Sequence, residues 1–357
     1  MTELLEGLKV LDLSLWQPGH TATQYLADLG ADVLKVEPPG GDRMRVLTDR
    51  FVNFNGHKRS VALDLKLPED QTRLHDLVRQ AEVVVEGYRP GVAERLGAGY
   101  AQLAAVNPAI VYCSISGFGQ VGPLAQASGH DANYQAYAGA FVTPEGGGPP
   151  VSSGALIGDQ GAGLAAAFGI LAAVLCARRT GRGEHIDVSM ADLLVSWVAP
   201  MAAISETDVA AHRNRGRPGM APYATADGRY VFLGIFSEDH FWDALCRAFD
   251  LPDYVGLNMA DRAARADELT PALAARFAAR DRDAVLAELG ALGVPIAPIL
   301  SREEALAEPH FTVRGVIARG PDGDRRVAHP IRYRNHPARA PGRPPQVGEG
   351  GEGGFAD

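Results

Sequence analysis

Cysteine is scarce in this sequence, and what there is lies scattered. Cys113, Cys176 and Cys246 form no CxxC or other paired spacing, so neither a disulfide framework nor a zinc knuckle is indicated, and no metal site is expected. Basic clusters are missing too. Against 43 Asp and Glu stand 34 Lys and Arg, a net charge of −9, and no run of cations is dense enough to follow a nucleic-acid backbone. Nor is there an apolar run of the roughly 20 residues that a membrane helix needs. The nearest, Leu164 to Cys176, is closed by Arg178 and Arg179 and reads as a buried helix. The opening MTELLEGLKVLDLS is acidic where a secretory signal would be basic. These gaps predict a cytoplasmic protein with neither nucleic acid nor membrane as partner. They also mean that an anionic ligand must be met by a few local cations rather than by a basic face.

What is present is a regular alternation. A chain of 357 residues predicts one large or two moderate domains. Strands are expected at Leu8–Ser14, Ala31–Glu37, Val61–Leu65, in EVVVEGY and at Ile110–Ser116, with helices at Thr21–Leu29 and Pro68–Gln80 between them. Strands interleaved with helices predict an α/β fold with a parallel, helix-covered, Rossmann-like sheet. From about residue 220 to 300 the pattern changes. An Asp227-Gly228 turn, a strand and Ala/Leu/Arg-rich helices predict a smaller α+β domain. The segment 341–357 is too rich in Pro and Gly to build a core and is expected to be a flexible tail.

Gly117, Gly119 and Gly122 have GxGxxG spacing after a strand, but Pro123 follows at once and no acidic residue closes a later strand at the dinucleotide distance. A glycine loop at a strand end, where a ligand comes close to backbone, is the better reading. No P-loop sequence occurs, and EGGGPP (Glu145–Pro150) can only be a loop or lid. His130 and Asp131 follow the glycine loop in SGHDANY, and Asp159 stands in IGDQGAG ahead of the apolar helix. Asp159 could simply cap that helix. The same position would also keep a carboxylate ionised beside glycines that admit a bulky ligand. The residues alone leave both readings open.

The ordered set GLKVLDLS, LADLGADVLKVEPP, GHKRSVALDLK, VVEGYRPGVAERLG, SISGFGQVGP, SGHDANY, GALIGDQGAG, RRTGRGEHIDVSM, ADGRYV and PILSREEALAEPHFTVRG resembles the family III CoA-transferase (CaiB/BaiF) superfamily. That group also holds the α-methylacyl-CoA racemases. The resemblance runs over residues 5 to 335. It implies a large Rossmann-like CoA-binding domain over residues 1–200, completed by 310–340, and a small α+β domain over 201–309. It also implies two chains interlocked as a homodimer. It implies no permanently bound cofactor, with coenzyme A expected to arrive as part of the acyl-CoA substrate. The resemblance places a racemase base at His130, the shared aspartate at Asp159 and a histidine-orienting carboxylate at Glu238 in SEDHFW. It assigns the CoA grip to Leu63, Asp64, Lys66, Gly87, Tyr88, Arg89 and Arg95, with Gly129 and Asp131 beside the base.

Racemisation needs two acid/base groups on opposite faces of an enolate, whereas CoA transfer needs one carboxylate that becomes an anhydride and then a CoA thioester. His130 occupies a slot where transferases usually carry Tyr or Phe, and Glu238 is available to fix its tautomer. The expectation is therefore an α-methylacyl-CoA racemase. The alternatives are a family III CoA-transferase acting through Asp159, and an acyl-CoA-binding protein without turnover.

Overall fold

The computed structural model describes residues 2–144, 147–202, 217–351 and 354–355. Glu145 and Gly146, which open the segment expected to be a loop or lid, lie outside them. Two compact units emerge: Met1–Met201 with Thr312–Asp357, and Ala202–Phe311.

The first unit is built on six parallel strands: β1 (Lys9–Asp12), β2 (Asp32–Glu37), β3 (Arg59–Ala62), β4 (Val83–Glu86), β5 (Val111–Ser116) and β6 (Glu184–Ser189). They lie in the order β3-β2-β1-β4-β5-β6, the doubly wound order of dinucleotide-binding domains, in which the chain changes direction between β1 and β4. Central strands such as VVVE and VYCSIS read as short apolar runs because both of their faces are covered. On one face α1 (Gln17–Asp28) and α7 (Ile157–Thr180) pack on Val10, Val33, Val83, Val85, Val111 and Cys113. On the other, α3 (Pro68–Val78) and α5 (Tyr100–Val106) cover Leu11, Leu34, Val84 and Tyr112. The shorter α2 (Thr48–Phe54), α4 (Val92–Arg95) and α6 (Asp131–Tyr137) occupy the connections, and α8 (Met190–Ala202) follows β6.

Three sequence expectations need correction. The apolar helix is 24 residues long and sufficiently apolar to cross a bilayer by those measures alone. Gly161, Ala162, Gly163, Ala166 and Ala167 are instead buried in the core of this unit. Gly163 lets α1 and α7 touch, since a Cβ there would lie 2.5 Å from that of Thr21. Because α7 starts at Ile157, Asp159 is not its cap; it lies within the first helical turn. The segment from 341 onward is tied down rather than flexible. Gly350 N–H donates to Ser60 O at 2.7 Å, Arg59 Nη1 donates to Gly354 O at 2.8 Å, and Phe355 is buried in the core beside Leu34 and Leu77. The tail thereby covers the β3 edge of the sheet. Its glycines suit this close backbone approach, which composition alone does not reveal.

The second unit has three antiparallel strands, β7 (Met220–Ala224), β8 (Tyr230–Gly234) and β9 (Ile296–Pro298). The Asp227-Gly228 turn joins β7 to β8, with Gly228 at φ 73°. Helices Asp239–Ala248, Ala266–Ala278 and Arg282–Ala291 close a core of Trp242, Phe249, Leu273, Phe277 and Leu289.

Candidate active site

Ligands of doubly wound sheets bind outside the carboxyl ends of the strands, where the strand order reverses. Here that place is bounded by the loops after β1, β4 and β5. The first of them is fixed from below by charges that no solvent reaches. Asp12 accepts from Ser14 N–H (3.0 Å), Thr23 Oγ1 (2.7 Å) and Lys58 Nζ (3.0 Å). Lys35 Nζ donates to Ser14 O at 2.7 Å and pairs with Asp42 at 2.7 Å. His20 donates to Asp42 at 2.8 Å. Burial drives His20 down to about 4, so the ring is neutral at ordinary pH, and Lys58 falls to about 8 for the same reason. Asp42, buried but bonded to His20 and Lys35, is held at about 2. The network grips Ser14 from both sides and so sets where α1 begins. Gly19 is obligatory in that first turn, because a Cβ would sit 2.2 Å from that of Ser14.

Above this base the structure brings Asp131 and Asp159 together. Asp131 is buried, and its Oδ1 accepts the main-chain N–H of Asp159 at 2.8 Å. Gly158 permits the approach; a Cβ there would lie 2.9 Å from the same oxygen. Burial, with the negative charge of Asp131 behind it, raises the half-buried Asp159 carboxyl to about 7, while the charge of Arg50 on α2 opposes the rise. Asp159 is thus a carboxylate poised to titrate near neutrality, the property of a tuned reactive group. The floor around it is tight. Tyr134 donates to Gly129 O at 2.7 Å, and its ring lies where a Cβ on Gly117 or Gly129 would have to go.

His130 caps α6 at the protein surface, with the edge of Trp16 facing its ring at 6.3 Å. Glu238 belongs to the second unit. Its carboxylate accepts the N–H groups of Phe236 and Ser237, each at 3.0 Å, and so stabilises its own turn.

The residues expected to grip CoA occupy two strand ends. Leu63 is buried in the core, Asp64 and Lys66 begin the turn into α3, and Lys66 is exposed. Gly87, Tyr88 and Arg89 follow β4, with Arg89 exposed and its charge felt by Tyr134. Arg95 ends α4, also exposed. The sequence reading missed Arg50, which no motif marks, and the buried Glu86 and Ser114 with the half-buried His185 beneath the β4 loop. For Glu86 and Ser114 the one signal is a polar residue closing or interrupting a largely apolar strand.

The profile of CoA-transferase family III matches residues 5–350. The chain belongs to that family. A CAIB/BAIF family protein from Brucella suis has the same fold, with a TM-score of 0.86 at 30% identity over 98% of both chains. The acetyl-CoA:oxalate CoA-transferase of Acetobacter aceti is 34% identical over 95% of this chain and 92% of its own. The succinyl-CoA:mesaconate CoA-transferase of Haloarcula marismortui is 34% identical over 88% and 85%, and the human succinyl-CoA:glutarate CoA-transferase 33% over 88% and 75%.

These relatives are transferases, and that overturns the racemase expectation. The presence of His130 was its main support. A histidine in that slot at an exposed helix start does not by itself make a second acid/base group.

Proposed function

We propose that this protein is a CoA-transferase that moves coenzyme A from an acyl-CoA to a free carboxylic acid by covalent catalysis on Asp159. The observation that carries the reading is the Asp159 carboxylate, lifted to about 7 by burial and by Asp131 at the carboxyl ends of a doubly wound sheet. An ionised carboxylate of raised basicity is a better nucleophile toward a thioester than an ordinary one. Its oxygen attacks the donor carbonyl and expels CoA thiolate, leaving a mixed anhydride. The thiolate then attacks the aspartyl carbonyl, which frees the donor acid and leaves an aspartyl-CoA thioester. The acceptor carboxylate attacks that thioester to form a second anhydride. CoA thiolate, returning to the acceptor's carbonyl, makes the new acyl-CoA and restores Asp159.

On this reading Gly87, Tyr88, Arg89, Arg95 and Lys66 hold the nucleotide end of CoA, the exposed arginines supplying the local cations that an acidic protein needs. Arg50, whose charge reaches Asp159, would meet the carboxylate of the incoming acid. Relatives named for oxalate, mesaconate and glutarate favour a short dicarboxylic acid as one partner. Association as a homodimer belongs to the same proposal. It is supported by Leu164, Phe168 and Leu175, large apolar side chains exposed on α7.

The test is intact-mass spectrometry of protein incubated with acetyl-, succinyl- and oxalyl-CoA. Added CoA mass that maps to Asp159 and is discharged by hydroxylamine is expected. Deuterium appearing at the acyl α-carbon in heavy water, without any adduct, would overturn the proposal.

A further inference from the structure

Three helices of the first unit meet around Asp159 and are linked in pairs. Asp131, the first residue of α6, accepts the Asp159 N–H at 2.8 Å. Thr21 of α1 donates to Oε1 of Gln160, the next residue of α7, at 3.4 Å. Two rings close the third side. Trp16 immediately precedes α1 and His130 immediately precedes α6; their centroids lie 6.3 Å apart with the planes crossing at 77°. The pair thus spans the two elements that bracket the start of α7.

The fold makes little use of either ring. Trp16 is 45% exposed, and His130 is exposed as well. The bonds that start α6 are not made by the imidazole. His130 N–H donates to Asn133 Oδ1 at 2.9 Å, and its carbonyl accepts the Asn133 N–H at 2.8 Å. Among the described residues nothing hydrogen-bonds the His130 ring, and Trp16 makes no capping bond. The backbones are nonetheless fixed: Trp16 O accepts the His20 N–H at 3.2 Å, and Lys35 holds Ser14 O at 2.7 Å. An exposed indole and an imidazole with unused nitrogens are therefore presented, in fixed places, one residue from the carboxylate that anchors Asp159.

A dicarboxylic acid that attacks an aspartyl thioester with one carboxylate carries a second that takes no part in the reaction. The negative charge of Asp131 lies close by, so that second group needs a donor of its own. We propose that His130 sets acceptor specificity: its ring N–H donates to the second carboxylate of the incoming acid, while the Trp16 indole packs on the carbons between the two carboxylates. This rests on the transferase reading given above. A neutral imidazole carries one N–H and a protonated one carries two, so the donor is present in both forms. His130 is then a binding group, neither acid nor base, which agrees with a transfer mechanism that runs on Asp159 alone.

Steady-state transfer from acetyl-CoA to acids of equal chain length, succinate against butyrate and glutarate against pentanoate, reads the assignment. The parent should favour the dicarboxylic member of at least one pair in kcat/KM. His130→Ala should raise KM for that acid about ten- to a hundredfold, the loss expected for a hydrogen bond to a charged group, and should lower the preference by the same factor while kcat changes much less. His130→Gln, which restores an N–H, should recover most of the preference. Trp16→Ala should raise KM for both members of a pair, and so should Arg50→Ala, which removes the cation assigned above to the incoming carboxylate. A preference that survives His130→Ala, or that falls with Arg50→Ala instead, overturns the inference. So does a parent that prefers neither dicarboxylic acid. In each of these cases the transferase reading stands if CoA mass still appears on Asp159; absence of both adduct and transfer overturns the two together.

Discussion

Asp131 Oδ1 accepts the main-chain N–H of Asp159 at 2.8 Å, so one carboxylate both anchors its neighbour and raises the energy of that neighbour's charge. The two effects can be separated. Asn at position 131 keeps an acceptor for the N–H and removes the charge. Asp131→Asn should therefore lower the Asp159 pKa without freeing the helix start. On the proposed mechanism Asp159 attacks as the carboxylate, so kcat/KM of the parent should fall as pH drops through about 7, and the variant's acid limb should lie at lower pH. Near pH 6 it should be the faster enzyme, by up to about tenfold where the limb moves by about 1 in pH. An unmoved limb would show that burial alone sets the pKa.

Asp159→Asn should abolish transfer, with kcat reduced by at least about a thousandfold as for other lost nucleophiles. The same change should stabilise the fold above neutral pH. It removes a carboxylate that burial makes costly to ionise, a gain of roughly 1–3 kcal/mol. Thermal melts of the two proteins at pH 8, beside an activity assay, check both halves. A variant that is inactive and also less stable would mean that the side chain holds structure.

Stability should decline as pH rises from about 5 to about 8. Burial lifts Asp28 to about 6 and Glu86 and Asp159 to about 7. Each returns to the ordinary carboxylate range on unfolding. Their contribution is therefore complete below about pH 4 and is lost as pH climbs through 6 and 7. Asp12 and Asp42 act in the opposite sense. Their pKa values are depressed by Lys35, Lys58 and His20 against the cost of burial, so their stabilisation is present above about pH 4 and fails in strong acid. Melting temperature against pH should peak between these limits, and Glu86→Gln should flatten its alkaline side.

Phe355→Ala should cost about 3 kcal/mol, because it empties a buried aromatic site in the core beside Leu34 and Leu77. Loss of the tail's hold on Ser60 would also expose the β3 edge to pairing with other chains. Urea denaturation measures the first effect and light scattering on standing the second. A neutral Phe355→Ala would show that the backbone bonds alone hold the tail.

The sheet was legible in the sequence because strands such as VLKVE and VVVE are short, mostly apolar runs bounded by turn residues. β6 was not: EHIDVS has only Ile186 and Val188 as apolar residues among Glu184, His185, Asp187 and Ser189, and its burial is only partial. Asp159 stood out by its glycine neighbours, yet its partnership with Asp131 spans 28 residues of chain and exists only once α6 meets α7. Glu86 and Lys35 were hidden for another reason. A single charged residue at the end of an apolar strand, as Glu86 is, or inside one, as Lys35 is, looks solvated in a sequence, and only the fold shows that water is excluded from both. The racemase expectation failed where residue identity was taken for role. His130 has the chemistry of a base, but the related proteins perform a reaction that does not require one.

The first unit is discontinuous in the chain, with Thr312–Asp357 returning to it after the second unit. During synthesis the ribosome must therefore finish the second unit before the first can acquire Phe355 and its cover over β3. Until then the nascent sheet carries an open edge and an unfilled core position, the combination that chaperones recognise. The second unit, continuous and with its own aromatic core, is free to fold as soon as it emerges. The larger unit reaches its native state last although most of it is made first.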